Sequence, residues 1–134
     1  MDIPPKTLGI DFGTRRIGLA LSFATLVEPL EVISYTDLDS AIRRIAEVCA
    51  ENFVEQVVVG ISEGDMAEQT HSFISLLKSK VQLRLFTADE TLSSQEVKSK
   101  MAGIGKKHSQ ANSGPIDHYA ATVILEEWFA TRER

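Results

Sequence analysis

Three acidic points in this chain could do chemistry together: Asp11, the Asp89-Glu90 pair and Asp117. Asp11 closes the short apolar run Thr7-Leu8-Gly9-Ile10. A glycine-flanked basic turn, Phe12-Gly13-Thr14-Arg15-Arg16, then leads into a second apolar run from Ile17 to Leu21. A bare carboxylate at the end of a buried strand is costly unless something pairs it, and a divalent cation is a usual partner there. Carboxylates converging from three elements would suit a hard cation such as Mg²⁺, with water and substrate phosphate completing the shell. Two such ions, about 3.5–4 Å apart, can activate an attacking water and stabilise the leaving oxygen of a phosphodiester. Spacing alone does not bring the three together. Taken singly, each also suits a turn or a helix cap, and Asp117 suits the positive end of a helix.

The elements that must carry these residues follow from periodicity. The two apolar runs around Gly13 read as a hairpin, and Leu30–Tyr35 as a third strand with imperfect alternation. Thr36 or Asp37 can cap a helix running to about Asn52, with Leu38, Ile42, Ile45, Cys49 and Phe53 as its buried stripe. Gln56–Ile61 is continuously apolar and β-branched, as a strand covered on both faces should be. A polar turn, Ser62–Asp65, precedes a helix from about Met66 to Lys80, buried through Phe73, Ile74 and Leu77. Gln82–Thr87 alternates as a strand and ends at Ala88-Asp89-Glu90. A helix is expected over Ser93–Met101, a mobile loop over Ala102–Pro115, and a last helix over Ile116–Thr131, burying Ala120, Val123, Ile124 and Trp128. A meander followed by strand–helix alternation implies an α/β fold: a mixed central sheet with helices on both faces and its site at the strand ends.

The chain has 134 residues, 43% hydrophobic and 25% charged, which suits a single domain of the ordinary globular class. No apolar run approaches the roughly 20 residues of a membrane helix, and no signal-peptide layout opens the chain, so a cytoplasmic protein without membrane contact is expected. Cys49 is the one cysteine and is expected to pack in the core. The net charge of −5 gives no global attraction to nucleic acid. A local basic rim remains available from Arg15, Arg16, Lys98, Lys100, Lys106, Lys107 and His108.

The motifs resemble those of the YqgF/RuvX group, Holliday-junction-resolvase-like nucleases of the ribonuclease H superfamily. The resemblance rests on Gly9-Ile10-Asp11-Phe12-Gly13-Thr14-Arg15-Arg16-Ile17-Gly18-Leu19-Ala20, on Val57-Val58-Val59-Gly60, on Asp89-Glu90-Thr91-Leu92-Ser93-Ser94-Gln95-Glu96-Val97, and on Ile116-Asp117-His118-Tyr119-Ala120-Ala121 and the residues after it. Four motifs in family order span most of the chain, from about Leu8 to Trp128. The resemblance implies a ribonuclease-H-like sheet. It implies Asp11, Glu90 and Asp117 as metal-binding and catalytic carboxylates for Mg²⁺ or Mn²⁺, with Asp89 in reserve. It implies a hydrolase that cuts structured nucleic acid. Maturation of the 5′ end of the 16S ribosomal RNA precursor is favoured, with the small ribosomal subunit as a partner. Junction-DNA cleavage is the alternative, since fold alone is a poor guide to substrate. The active species is a monomer or a homodimer.

Thr91 stands where the family usually carries an arginine, which bears on phosphate contact more than on the chemistry. Ile61-Ser62 replaces a common Leu-Pro, and Phe23 replaces a common Asp. His118 beside Asp117 is read mainly as a helix-start residue, and His71 and His108 have no ligand-spaced neighbours. Two other functions compete. Asp11-Phe12-Gly13-Thr14 also fits the phosphate loop of actin-like and sugar-kinase-like enzymes, but those need a second similar half. A weakly catalytic RNA- or ribosome-binding module of the same fold is the other.

Overall fold

The computed structural model describes residues 3–61, 65–89 and 113–132, with the backbone alone for 65–67, 89, 113–118 and 132. Strands β1 (Thr7–Phe12), β2 (Arg16–Phe23) and β3 (Leu26–Ser34) form an antiparallel meander. Helix α1 (Leu38–Glu51), strand β4 (Gln56–Ile61), helix α2 (Asp65–Lys80), strand β5 (Arg84–Asp89) and helix α3 (Ser113–Arg132) follow. The strands form one sheet in the order β3-β2-β1-β4-β5, with β1, β4 and β5 parallel. The mixed sheet is the one expected from the sequence.

Alternation along the central strands supplies both of its faces. Leu8, Ile10 and Phe12 of β1 and Val57 and Val59 of β4 point into a core with Ile42, Ile45, Phe73 and Leu77 from α1 and α2. On the other face, Ala20 and Val58 pack against Ala121, Ile124, Leu125 and Trp128 of α3. Gln56–Ile61 is continuously apolar because it is covered on both sides. Cys49 is buried in the first core, as expected. Helix α1 is also tied to β3 by a two-pronged Arg44–Glu31 pair, with Nε and Nη2 donating at 2.9 and 2.8 Å.

Several boundaries differ from the sequence reading. β3 begins at Leu26, not Leu30. Leu19 pairs with Glu31 while Ala20 pairs with Pro29, so Leu30 is an extra residue that resets the alternation. Pro29 is tolerated because β3 is an edge strand and needs no inward donor there. β5 runs from Arg84 to Asp89, two residues later than expected at each end. Helix α3 starts at Ser113, so the last residues of the expected loop, Ser113 to Pro115, are helical. Proline fits a first helical turn, where the N–H groups have no intrahelical acceptor. Phe53 is not on the buried stripe of α1. The helix stops at Glu51, Phe53 takes a left-handed φ of 54° and is 80% exposed, and Val54 turns inward instead. The expected helix over Ser93–Met101 and most of the loop after it lie outside the described residues, as does the turn over Ser62, Glu63 and Gly64.

Candidate active site

Asp11 stands at the carboxyl end of β1, half-buried, beside the ends of two parallel strands. Its cross-strand partners are Gly18 on β2 and Gly60 on β4, and Gly60 pairs in turn with Ala88 on β5. Directly paired residues share a face of the sheet. The carboxylate therefore lies in a row of the smallest residues, Gly18-Asp11-Gly60-Ala88. No strand residue paired directly across from it carries a side chain larger than a methyl. A row of this kind leaves room for a hydrated cation, and carboxylate oxygen is the donor that Mg²⁺ or Mn²⁺ takes.

The face is fixed by Gly9, two residues earlier. A Cβ added at Gly9 would lie 2.5 Å from the Leu125 Cγ and 3.1 Å from the Ala121 carbonyl oxygen of α3. Gly9 and, by alternation, Asp11 belong to the α3 side of the sheet. Residues near the other end of α3, Glu126, Phe129 and Ala130, line a cavity with Pro4 and Thr25, beyond the amino end of β1. Helix α3 therefore runs antiparallel to β1, with its amino end toward Asp11. Asp117 precedes Ala121 by four residues, about 6 Å along a helix axis. Asp11 follows Gly9 by two residues, about 7 Å along a strand. The backbone at Asp117 is thus carried toward the end of the sheet that holds Asp11.

Asp89 is the last residue of β5, and its backbone pairs with Ile61, one step beyond the Gly60–Ala88 pair. Glu90, Thr91, Lys98, Lys106 and Lys107 lie outside the described residues. Among the described residues, no three His, Cys, Asp or Glu side chains are grouped so as to hold a metal. Arg15 and Arg16 are exposed at the turn and at the start of β2.

Residues that the sequence reading missed sit against this turn. Thr14, Arg15 and Arg16 line a broad depression of about 870 Å³ with Ser34, Tyr35 and Thr36. The Tyr35 hydroxyl donates to the Gly13 carbonyl at 2.6 Å, and the Tyr35 N–H donates to the Arg15 carbonyl at 3.0 Å. Burial pushes the Tyr35 hydroxyl above its ordinary pKa, so it remains a donor at neutral pH. Its ring stacks near Phe12, which stacks on Phe73 at 4.5 Å. Local sequence carries no sign of this, because Tyr35 reaches its carbonyl across 22 residues.

Residues 5–131 match the family model described as "RuvX: Holliday junction resolvase". The chain belongs to the RuvX family. Among RuvX relatives, one from Synechococcus sp. named "Putative pre-16S rRNA nuclease" is 34% identical over 129 residues, covering 90% of this chain and 86% of its own. Another of the same name, from Corynebacterium jeikeium, is 33% identical over 138 residues, covering 96% of this chain and 88% of its own. The solved RuvC of T. thermophilus in complex with a Holliday junction substrate superposes with a TM-score of 0.67 at 17% identity, covering 97% of this chain and 96% of that one. Fowlpox virus resolvase in complex with junction DNA gives a TM-score of 0.59 at 8% identity, covering 96% and 99%. At these identities the structural likenesses show the fold, the mixed sheet between helices that RuvC also has.

Proposed function

We propose that this RuvX protein is a divalent-metal-dependent nuclease that hydrolyses phosphodiester bonds in structured nucleic acid. Its preferred substrate is the 5′ region of the 16S ribosomal RNA precursor. The observation that carries the reading is Asp11, a half-buried carboxylate held between Gly18 and Gly60 at the ends of the parallel strands. The names of its relatives support a nuclease acting on precursor ribosomal RNA. The family's description keeps junction cleavage as a second reading.

In this reading Asp11, Glu90 and Asp117 hold Mg²⁺ or Mn²⁺, with Asp89 as the alternative to Glu90. The ion supplies Lewis-acid stabilisation of charge on the phosphoryl oxygens. The chain's own part is to fix the carboxylates on β1, after β5 and on α3, and to hold the strand with cations from Arg15, Arg16, Lys98, Lys106 and Lys107. Residues 1–134 act as one catalytic domain, in the cytoplasm, with the assembling small ribosomal subunit as the partner that positions the RNA. No helix among the described residues is long and apolar enough to cross a membrane.

The test is Asp11→Asn. The change removes a ligand charge and keeps the side chain's size, so cleavage is expected to fall at least a hundredfold with the fold intact by circular dichroism. Wild-type rates in Mg²⁺ or Mn²⁺ would remove Asp11 from the chemistry.

A further inference from the structure

The basic turn after Asp11 is held by contacts from a residue well outside it. Tyr35 bonds to it at two carbonyls, those of Gly13 and Arg15. A Cβ on Gly13 would lie 2.6 Å from the Arg16 carbonyl oxygen, so the chain closes on itself where only glycine fits. Phe12, next to Gly13, is stacked into the core against Phe73. The result is a fixed cationic projection one strand pair beyond Asp11, on a chain whose net charge is −5.

Two acidic groups close to Tyr35 in the chain, Glu31 and Asp37, have partners of their own. Glu31 of β3 is engaged by the Arg44 fork. Asp37, next to Thr36, accepts from the Ser40 hydroxyl, and that bond holds its carboxyl below the usual range, with Arg43 also close enough to act on it. Asp37 therefore stays negative at neutral pH, with its charge engaged on the α1 side by Ser40 and Arg43. Within the depression, Arg15 and the Thr14, Ser34 and Thr36 side chains are exposed and make no side-chain hydrogen bond or ion pair among the described residues. The depression is broad and open, as suits an extended strand lying across it.

We propose that this depression is a sugar–phosphate subsite that grips the substrate strand beside the bond cut at Asp11. Arg15 contacts a backbone phosphate through its planar fork. The Thr14, Ser34 and Thr36 hydroxyls add neutral hydrogen bonds to the same unit. Tyr35 is a positioning residue: it touches no substrate and fixes the turn that carries Arg15. The ligand is the backbone of a nucleic-acid strand, recognised without reference to its bases. The inference rests on the nuclease reading only for the word substrate, because strand binding can be measured without cleavage.

The experiment titrates a labelled single-stranded RNA 12-mer, and its DNA counterpart, with the full chain carrying Asp11→Asn, over a range of salt. Adding Arg15→Ala is expected to weaken binding to several sequences alike and to lower the slope of log affinity against log salt by about one. Arg15→Lys is expected to restore the slope but not the full affinity. Tyr35→Phe is expected to weaken binding severalfold with the slope unchanged, because no charge is lost. Equal losses for RNA and DNA support the phosphate assignment. Losses confined to RNA, an unchanged slope in Arg15→Ala, or no binding by the parent protein would overturn it. Unchanged affinity in Tyr35→Phe, with native thermal unfolding, would remove the positioning role. Cleavage by wild type with no effect of Arg15 on binding defeats the subsite alone. Arg15-dependent binding without cleavage defeats the nuclease reading alone.

Discussion

Leu125 of α3 occupies the space that a side chain on Gly9 of β1 would need, with its Cγ 2.5 Å from an ideal Cβ there. The Ala121 carbonyl oxygen, 3.1 Å away, closes the same space with backbone. Leu125 can rotate, but the helix carbonyl cannot retreat without moving α3. Gly9→Ala is therefore expected to destabilise the protein by about 1–3 kcal/mol, the usual cost of overpacking a filled core. It also shifts the helix that carries Asp117. Urea denaturation measures the first effect. Cleavage under conditions where the variant is fully folded measures the second, and is expected to fall by more than the folded fraction does. Wild-type stability would show that α3 is held less closely than this contact implies.

Phe53 presents the opposite case, a residue that the local backbone does not suit. It is 80% exposed and has a φ of 54°, a left-handed conformation that bulky side chains rarely adopt. Such residues carry strain of order 1–3 kcal/mol. Glycine would remove the strain and give back part of the gain through the greater freedom of the unfolded chain. Phe53→Gly is expected to stabilise by about 0.5–1 kcal/mol, read as a rise in the urea midpoint at unchanged slope. A lower midpoint would mean that the ring makes a contact worth more than the strain.

These two positions also mark what the sequence made legible. The strand Gln56–Ile61 was readable because burial on both faces leaves a continuous apolar run. The stripe of α1 was readable up to Cys49, but periodicity cannot see that Asn52 ends the helix, so Phe53 was carried one turn too far. Leu30 hid the first half of β3, since a bulge residue breaks the alternation that reveals a strand. At the site, the position of Asp11 at the carboxyl end of a buried strand was legible, because the apolar run stops there. The row Gly18-Asp11-Gly60-Ala88 was not, because it exists only through pairing register. Tyr35 was missed for the same reason: its role is a contact with a turn 22 residues away.

Cys49 gives a prediction about pH. Burial pushes its thiol up to about 11 from an ordinary value of 9.0. Between those values the unfolded chain has lost the proton and the folded chain keeps it. The contribution to stability is therefore fully present below pH 9 and is lost as pH rises toward 11. Cys49→Ala is expected to flatten the decline of stability over that window. Native protein at pH 8 is also expected to react with a thiol reagent only as fast as it opens, and fully in denaturant. Rapid labelling of the native protein would contradict burial in the α1 core.

Substrate choice separates the two nuclease readings. The chain carries 14 Lys and Arg against 19 Asp and Glu. Binding to intact duplex draws most of its strength from many phosphate contacts, and a net charge of −5 gives no broad attraction to a duplex. A short cationic turn at Arg15 and Arg16, beside the end of the sheet, suits a single strand passing Asp11 better than a broad duplex surface. Single-stranded or junction-flanking RNA is therefore expected to be cut in preference to duplex DNA. Weak intrinsic affinity should be made up by a partner that presents the RNA, so precursor particles of the small ribosomal subunit are expected to be cut faster than naked precursor RNA. The measurement compares cleavage of naked precursor, precursor particles and a four-way DNA junction at one salt concentration, since affinities at different salt are not comparable. Efficient, structure-specific cutting of the junction with neither RNA substrate cleaved would reverse the preference and make this RuvX protein a resolvase.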